Sequence, residues 1–154
     1  MRGVYKVRDT LTAVTTAKPL LYLAVPATMV IEILSARITC QDEDSSEQIL
    51  ATLARAIGTV GGGDALTPKP TEELSSASGV TAKGGNTAIT GMTQDTDHDA
   101  IFSGGANKIA GWEYVPLPEE REIVKPSDFV TLATIDAIAN VGDLTVEIYF
   151  REIG

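Results

Sequence analysis

Chemistry in this chain would have to start at His98, its only histidine. It stands in the run Asp95-Thr96-Asp97-His98-Asp99. A Ser-His-Asp relay would have to use His98 as its base, and metal centres built on two or more imidazoles are excluded. Alternate carboxylates at Asp95, Asp97 and Asp99 could offer calcium several hard oxygens. The run lacks the glycine and the distal glutamate of an EF-hand loop, so a solvated acidic loop is the favoured reading. Asp42-Glu43-Asp44, at the end of a strand-like stretch, reads as a solvated turn.

Cys40 is the only cysteine, which excludes an intrachain disulfide and a cysteine-rich zinc site. It ends an apolar run and reads as a small core residue rather than a nucleophile. The glycine groups Gly61-Gly62-Gly63, Gly84-Gly85 and Gly104-Gly105 do not follow the phosphate-binding spacings, with their Lys-Ser/Thr or downstream helix. Glu119-Glu120, behind Pro116 and Pro118, reads as a charged surface edge, and no carboxylate pair is singled out for glycoside hydrolysis. No nucleophile, base and orienter come together. The expectation is a non-enzymatic protein with no catalytic residue, no cofactor and no metal. Trp112 and Tyr114, between Gly111 and Pro116, could be a core plug, an interface anchor or a sugar-stacking platform, with core or interface favoured.

The elements that must position these residues read as strands. A chain of 154 residues, 44% hydrophobic and 21% charged, suits one globular domain spanning residues 1–154. Its net charge of −9 disfavours nucleic acid and is compatible with docking on a basic protein surface, though solubility alone is the favoured reading. Residues 1–9 are polar and charged, unlike a secretory leader, and residues 20–25 are too short to span a bilayer. We therefore expect a protein made and folded in a cytoplasm, with no membrane partner.

Residues 144–153 alternate, with Leu144, Val146, Ile148 and Phe150 opposite Thr145, Glu147, Tyr149 and Arg151. That period of two predicts a half-buried strand. Residues 129–135 predict another, with a short strand at 122–125 before it, the three read as antiparallel neighbours on short connections. Further strands are expected at 11–16, 20–25 and 29–40. In the last of these Met29, Ile31 and Ile33 fall opposite Val30, Leu34, Ile38 and Cys40, so both faces read as covered. From Glu47 to Ile57 the spacing fits helix or strand, with Ala and Leu tipping the local preference toward helix. Residues 58–111 are rich in Gly, Ser and Thr and read as loops with short strands at 79–83, 87–90 and 100–103. They are expected to lie over the sandwich or across a subunit boundary.

One pattern goes beyond local propensity. Gly111-Trp112-Glu113-Tyr114-Val115-Pro116-Leu117-Pro118-Glu119-Glu120-Arg121 leads into a strand, a Pro-Ser-Asp turn at Pro126 to Asp128, and a second strand. The chain closes on Phe150-Arg151-Glu152-Ile153-Gly154, and its front carries a Thr/Ala-rich strand, a proline and a long apolar strand before Glu47-Gln48. This resembles small virion structural proteins of tailed bacteriophages. The resemblance implies an all-β, antiparallel β-sandwich, jelly-roll-like, that forms homotrimers or other rings on a virion, with Glu47 to Ile57 a strand. It implies a capsid decoration (cement) protein or a head appendage base that binds the major capsid protein or other virion proteins. A tail or fibre adaptor and a carbohydrate-binding host-attachment module are the alternatives. Trp112, Tyr114 and Leu117 are the expected interface residues.

Overall fold

The computed structural model describes residues 3–40, 47–56, 60–72, 75–85, 88–89, 99–138 and 142–153. Alternating sequence becomes strand through most of them: β1 (Gly3–Leu11), β2 (Pro19–Ala24), β3 (Ile31–Cys40), β4 (Gln48–Ala56), β5 (Val60–Gly61), β6 (Asp64–Leu66) and β7 (Lys69–Pro70). There follow β8 (Thr81–Gly84), β9 (Ala88–Ile89), β10 (Asp99–Asn107), β11 (Trp112–Tyr114), β12 (Ile123–Val124), β13 (Phe129–Thr134) and β14 (Leu144–Glu152). A short 3-10 helix, Pro118–Glu120, separates β11 from β12.

The strands form two antiparallel sheets, and the protein is an all-β sandwich. The first runs β11-β3-β14-β1-β7, with β12 also on β3, and the second runs β10-β4-β13-β2-β8-β6. A separate pair joins β5 to β9. The long strands are nested. The first pairs with the last (β1 with β14), β2 with β13, β3 with β11 and β12, and β4 with β10. Inward residues of the two sheets meet in one apolar cluster, with Tyr5, Ile33, Ile148 and Phe150 facing Leu23, Leu53, Val130 and Leu132, all essentially fully buried. Each such side chain contributes about 1.5–3 kcal/mol through its removal from water.

Several sequence expectations need correction. The strands at 123–124, 129–134 and 144–152 are not neighbours: β12 and β14 lie in the first sheet and β13 in the second. Short connections here cross between sheets instead of turning hairpins. The first strand is Gly3–Leu11, not 11–16, because charged Lys6 and Arg8 alternate with buried Tyr5 and Val7. β3 is not covered alike on both faces. The register steps from Tyr149 opposite Ser35 to Phe150 opposite Ile33, so Leu34 and Ser35 together oppose one residue. This β-bulge returns Ile38 to the same face as Ile31 and Ile33, and Cys40 packs against that core. The phase of the sequence pattern changes at the bulge, which made one buried face look like two.

The local preference for helix after Glu47 is also overturned, since β4 pairs with β10 on one side and β13 on the other. Two full ladders outweigh a weak helical propensity. The Gly-rich middle is partly built into the sheets: β10 runs nine residues along the edge of the second sheet, and β6, β7 and β8 extend the sheets elsewhere. Glycine does structural work at Gly84, where an added Cβ would collide with the Asp9 carboxylate. Burial, and more weakly the nearby Asp64 charge, raise the Asp9 pKa, opposed by a hydrogen bond from Thr10.

On the side of the second sheet away from the core, Tyr22 stacks on Phe129 at 5.5 Å between ring centroids. Tyr22 is buried, and burial pushes its phenol up to about 12. A folded pKa above the unfolded value of 10.0 gives stability that is fully present below pH 10 and lost as pH rises toward 12. In alkaline unfolding titrations Tyr22→Phe should remove a pH-dependent loss on the order of 2 kcal/mol over that window. An unchanged slope in the variant would show that the phenol ionises freely.

Candidate functional site

The open side of the sandwich between β10 and β11 carries the candidate site. A turn joins these strands across the two sheets: the Asn107 carbonyl accepts from the Gly111 N–H at 2.9 Å, and its side-chain oxygen accepts from the Ile109 N–H at 2.9 Å. Gly111 has φ +78°, and a Cβ there would lie 2.8 Å from the Ile38 carbonyl oxygen. Only glycine lets the chain turn this close to β3. The turn sets Trp112 opposite Ile38 and Tyr114 opposite Ala36, so both rings point inward.

Phe102 of β10 bridges the edges of the two sheets. Its ring centroid lies 5.5 Å from that of Trp112 and 5.4 Å from that of Tyr114, both in tilted contact. Beside this trio lies an open groove of about 400 Å³ lined by Ile101, Phe102, Glu113, Tyr114, Val115, Pro116 and Glu120. Burial raises the Tyr114 pKa, with smaller contributions in the same direction from Glu122 and Glu120. The phenol therefore stays protonated at neutral pH and offers a hydroxyl, not a base.

The three expected interface residues divide. Trp112 and Tyr114 are buried within the chain, while Leu117 is 63% exposed. Sequence reasoning missed Phe102 and Val115, which are 41% and 65% exposed and flank the same seam. Phe102 precedes the small residues Ser103-Gly104-Gly105-Ala106, and that glycine content masked a nine-residue strand with an aromatic on its core-facing side at the open edge. Glu119 and Glu120 lie on the exposed 3-10 helix, in keeping with a charged edge.

Asp42 to Asp44, Asp95, Asp97 and His98 lie outside the described residues. Among the described residues, no group of three or more His, Cys, Asp or Glu side chains could hold a metal ion. No helix among them is long and apolar enough to cross a membrane. The outer face of the first sheet is ionic. Glu147 lies between Arg8 at 3.7 Å and Arg37 at 3.3 Å, and Glu32 between Arg121 at 3.7 Å and Arg151 at 3.1 Å. Each carboxylate is shared by two partly exposed guanidiniums, an arrangement that orders a surface and contributes modestly to stability.

No protein-family model, curated protein or solved structure matches the chain.

Proposed function

We propose that this chain is a non-enzymatic structural protein that assembles with copies of itself, as a homotrimer, on the virion of a tailed bacteriophage. Its place would be that of a capsid decoration protein or head appendage base seated on the major capsid protein. The observation that carries the assembly reading is the β10–β11 seam. There Phe102 and Val115 expose apolar surface beside the buried rings of Trp112 and Tyr114, and Leu117, two residues beyond Val115, is exposed as well. Exposed large apolar groups clustered on buried aromatics are the makings of a contact surface.

The strand order supports a jelly-roll reading. First with last, second with seventh, third with sixth and fourth with fifth is one long hairpin wound over itself, taking β11 and β12 as one edge position. Jelly rolls recur in viral capsid proteins, and this likeness is one of architecture alone. The virion assignment rests further on the resemblance carried by residues 111–154.

Sedimentation of the purified chain, with and without Leu117→Glu and Val115→Glu, tests the assembly. Both side chains are well exposed, so the substitutions should leave the fold intact. The wild type should sediment as a trimer, and each variant should weaken association by at least about tenfold. Equal sedimentation of all three would remove the seam as the contact. Co-sedimentation with purified tailed-phage heads, compared with tails, tests the location.

A second reading places a carbohydrate in the same groove, because the aromatics Phe102 and Tyr114 and the acidic residues Glu113 and Glu120 line it together. Saturable glycan binding lost in Phe102→Ala would favour it over assembly.

A further inference from the structure

We propose that a second groove, on the opposite edge of the first sheet, docks a carboxylate-rich segment of a partner polypeptide. This open groove of about 320 Å³ is lined by Lys6, Arg8, Ala65, Leu66, Thr67 and Lys69. It lies apart from the β10–β11 seam and is independent of the assembly reading.

Charge placement carries the inference. Lys6 of β1 and Lys69 of β7 are directly opposed register partners. Like charges directly across antiparallel strands work against pairing. Arg8 stands two residues along the same face, so three cations converge on one short groove in a chain of net charge −9. The nearby carboxylate is already engaged: Glu147 is divided between Arg8 at 3.7 Å and Arg37 at 3.3 Å. Among the described residues neither Lys6 nor Lys69 forms an ion pair, and Lys6 instead rests with its ammonium 5.7 Å from the Tyr149 ring centroid.

Edge protection explains part of this arrangement. Lys69 and Pro70 form the outermost strand of the sheet, and lysine and proline there discourage pairing with another strand. That purpose needs Lys69 alone. It gives no reason for Lys6 to face it, and Arg8, placed by its pairing with Glu147, adds a third positive charge to the same groove. An acidic segment would neutralise Lys6 and Lys69 and supplement the charge that Arg8 already shares with Glu147, and the exposed Thr67 adds a hydroxyl for a carboxylate oxygen. Nucleic acid fits less well, because it calls for a basic stripe spanning many phosphates, and the remaining surface is acidic overall.

Fluorescence anisotropy with a labelled octaglutamate peptide at low ionic strength provides the test. Wild-type protein should bind saturably and lose affinity as salt is added. Lys6→Gln and Lys69→Gln should each weaken binding about tenfold. Lys125→Gln, in the turn before β13, and Leu117→Glu, on the seam, should leave it unchanged. Because Leu117→Glu reports on assembly, failure of docking and failure of assembly are read separately. Without peptide, Lys69→Gln should melt no lower than wild type, since it removes a like-charge opposition.

The proposal is overturned by absence of saturable binding, by wild-type affinity in both groove variants, or by an equal loss in Lys125→Gln. Displacement of the peptide by inorganic phosphate at matched charge would also overturn it, assigning the groove to a compact oxyanion. So would a lower melting point for Lys69→Gln, which would make the lysine pair a structural support.

Discussion

Replacing Phe150 by alanine should lower the unfolding free energy by about 3–5 kcal/mol, the range for large aromatic truncations in closed cores. Phe150 is fully buried, stacks on Tyr5 at 5.7 Å between centroids, and sits opposite Ile33 where the β3 bulge begins. Its strand is held by ladders on both sides, to β1 and to β3, so the backbone has little freedom to collapse into the space left behind. Against a typical total of about 5–15 kcal/mol, such a loss removes much of the stability margin. Urea titration should show a much lower midpoint with an unchanged slope. A loss below about 1 kcal/mol would mean that the two sheets are less firmly packed at this level than the geometry requires.

Glu152→Ala should cost about 2–4 kcal/mol, for a different reason. Glu152 points inward at the end of β14 and is fully buried. Its Oε1 accepts from the Ser78 hydroxyl at 2.6 Å and from the Gly79 N–H at 3.0 Å, while Oε2 is buried with no hydrogen-bond partner among the described residues. One carboxylate oxygen thus pins the segment that leads into β8 onto the first sheet. Alanine would remove the charged acceptor of two hydrogen bonds, each contributing about 1.5–3 kcal/mol, offset in part by water reaching the partly exposed Ser78 and Gly79. Glu152→Gln, which retains an acceptor oxygen, should recover most of the loss. Hydrogen exchange at Gly79 and Val80 would locate the effect. Equal destabilisation by Ala and Gln would show that the pin is not the bond described.

How far the sequence disclosed this architecture depended on whether a strand kept its phase. β14 has no bulge on its own chain, so Leu144, Val146, Ile148 and Phe150 were readable as one inward face. β13 was readable in the same way. β3 changes phase at Leu34 and Ser35, and a pattern read with constant period assigned Ile38 to the wrong face. β10 lacked signal because small residues dominate it, although Gly104 and Gly105 lie in an unbroken ladder with β4. At the seam, the cluster of Trp112 and Tyr114 was legible from spacing, but the direction of the rings was not. That direction is fixed by the pairing of β11 with β3 and by the turn at Gly111, both long-range facts.

The nesting of strands has a consequence for how the chain is made. β1 is among the first described segments to leave the ribosome, yet its ladder with β14 cannot form until residues 144–152 have followed. The same delay applies, in shorter steps, to β2 with β13 and to β3 with β11 and β12. A topology so dominated by distant pairings folds slowly and leaves early strands unpaired for much of synthesis. Lys6, Arg8 and Asp9 put charge on β1 during that interval, when an apolar strand with open edges would be most prone to pair with a neighbouring nascent chain. On this view the charges on the first strand guard the unfinished polypeptide as well as decorating the finished one.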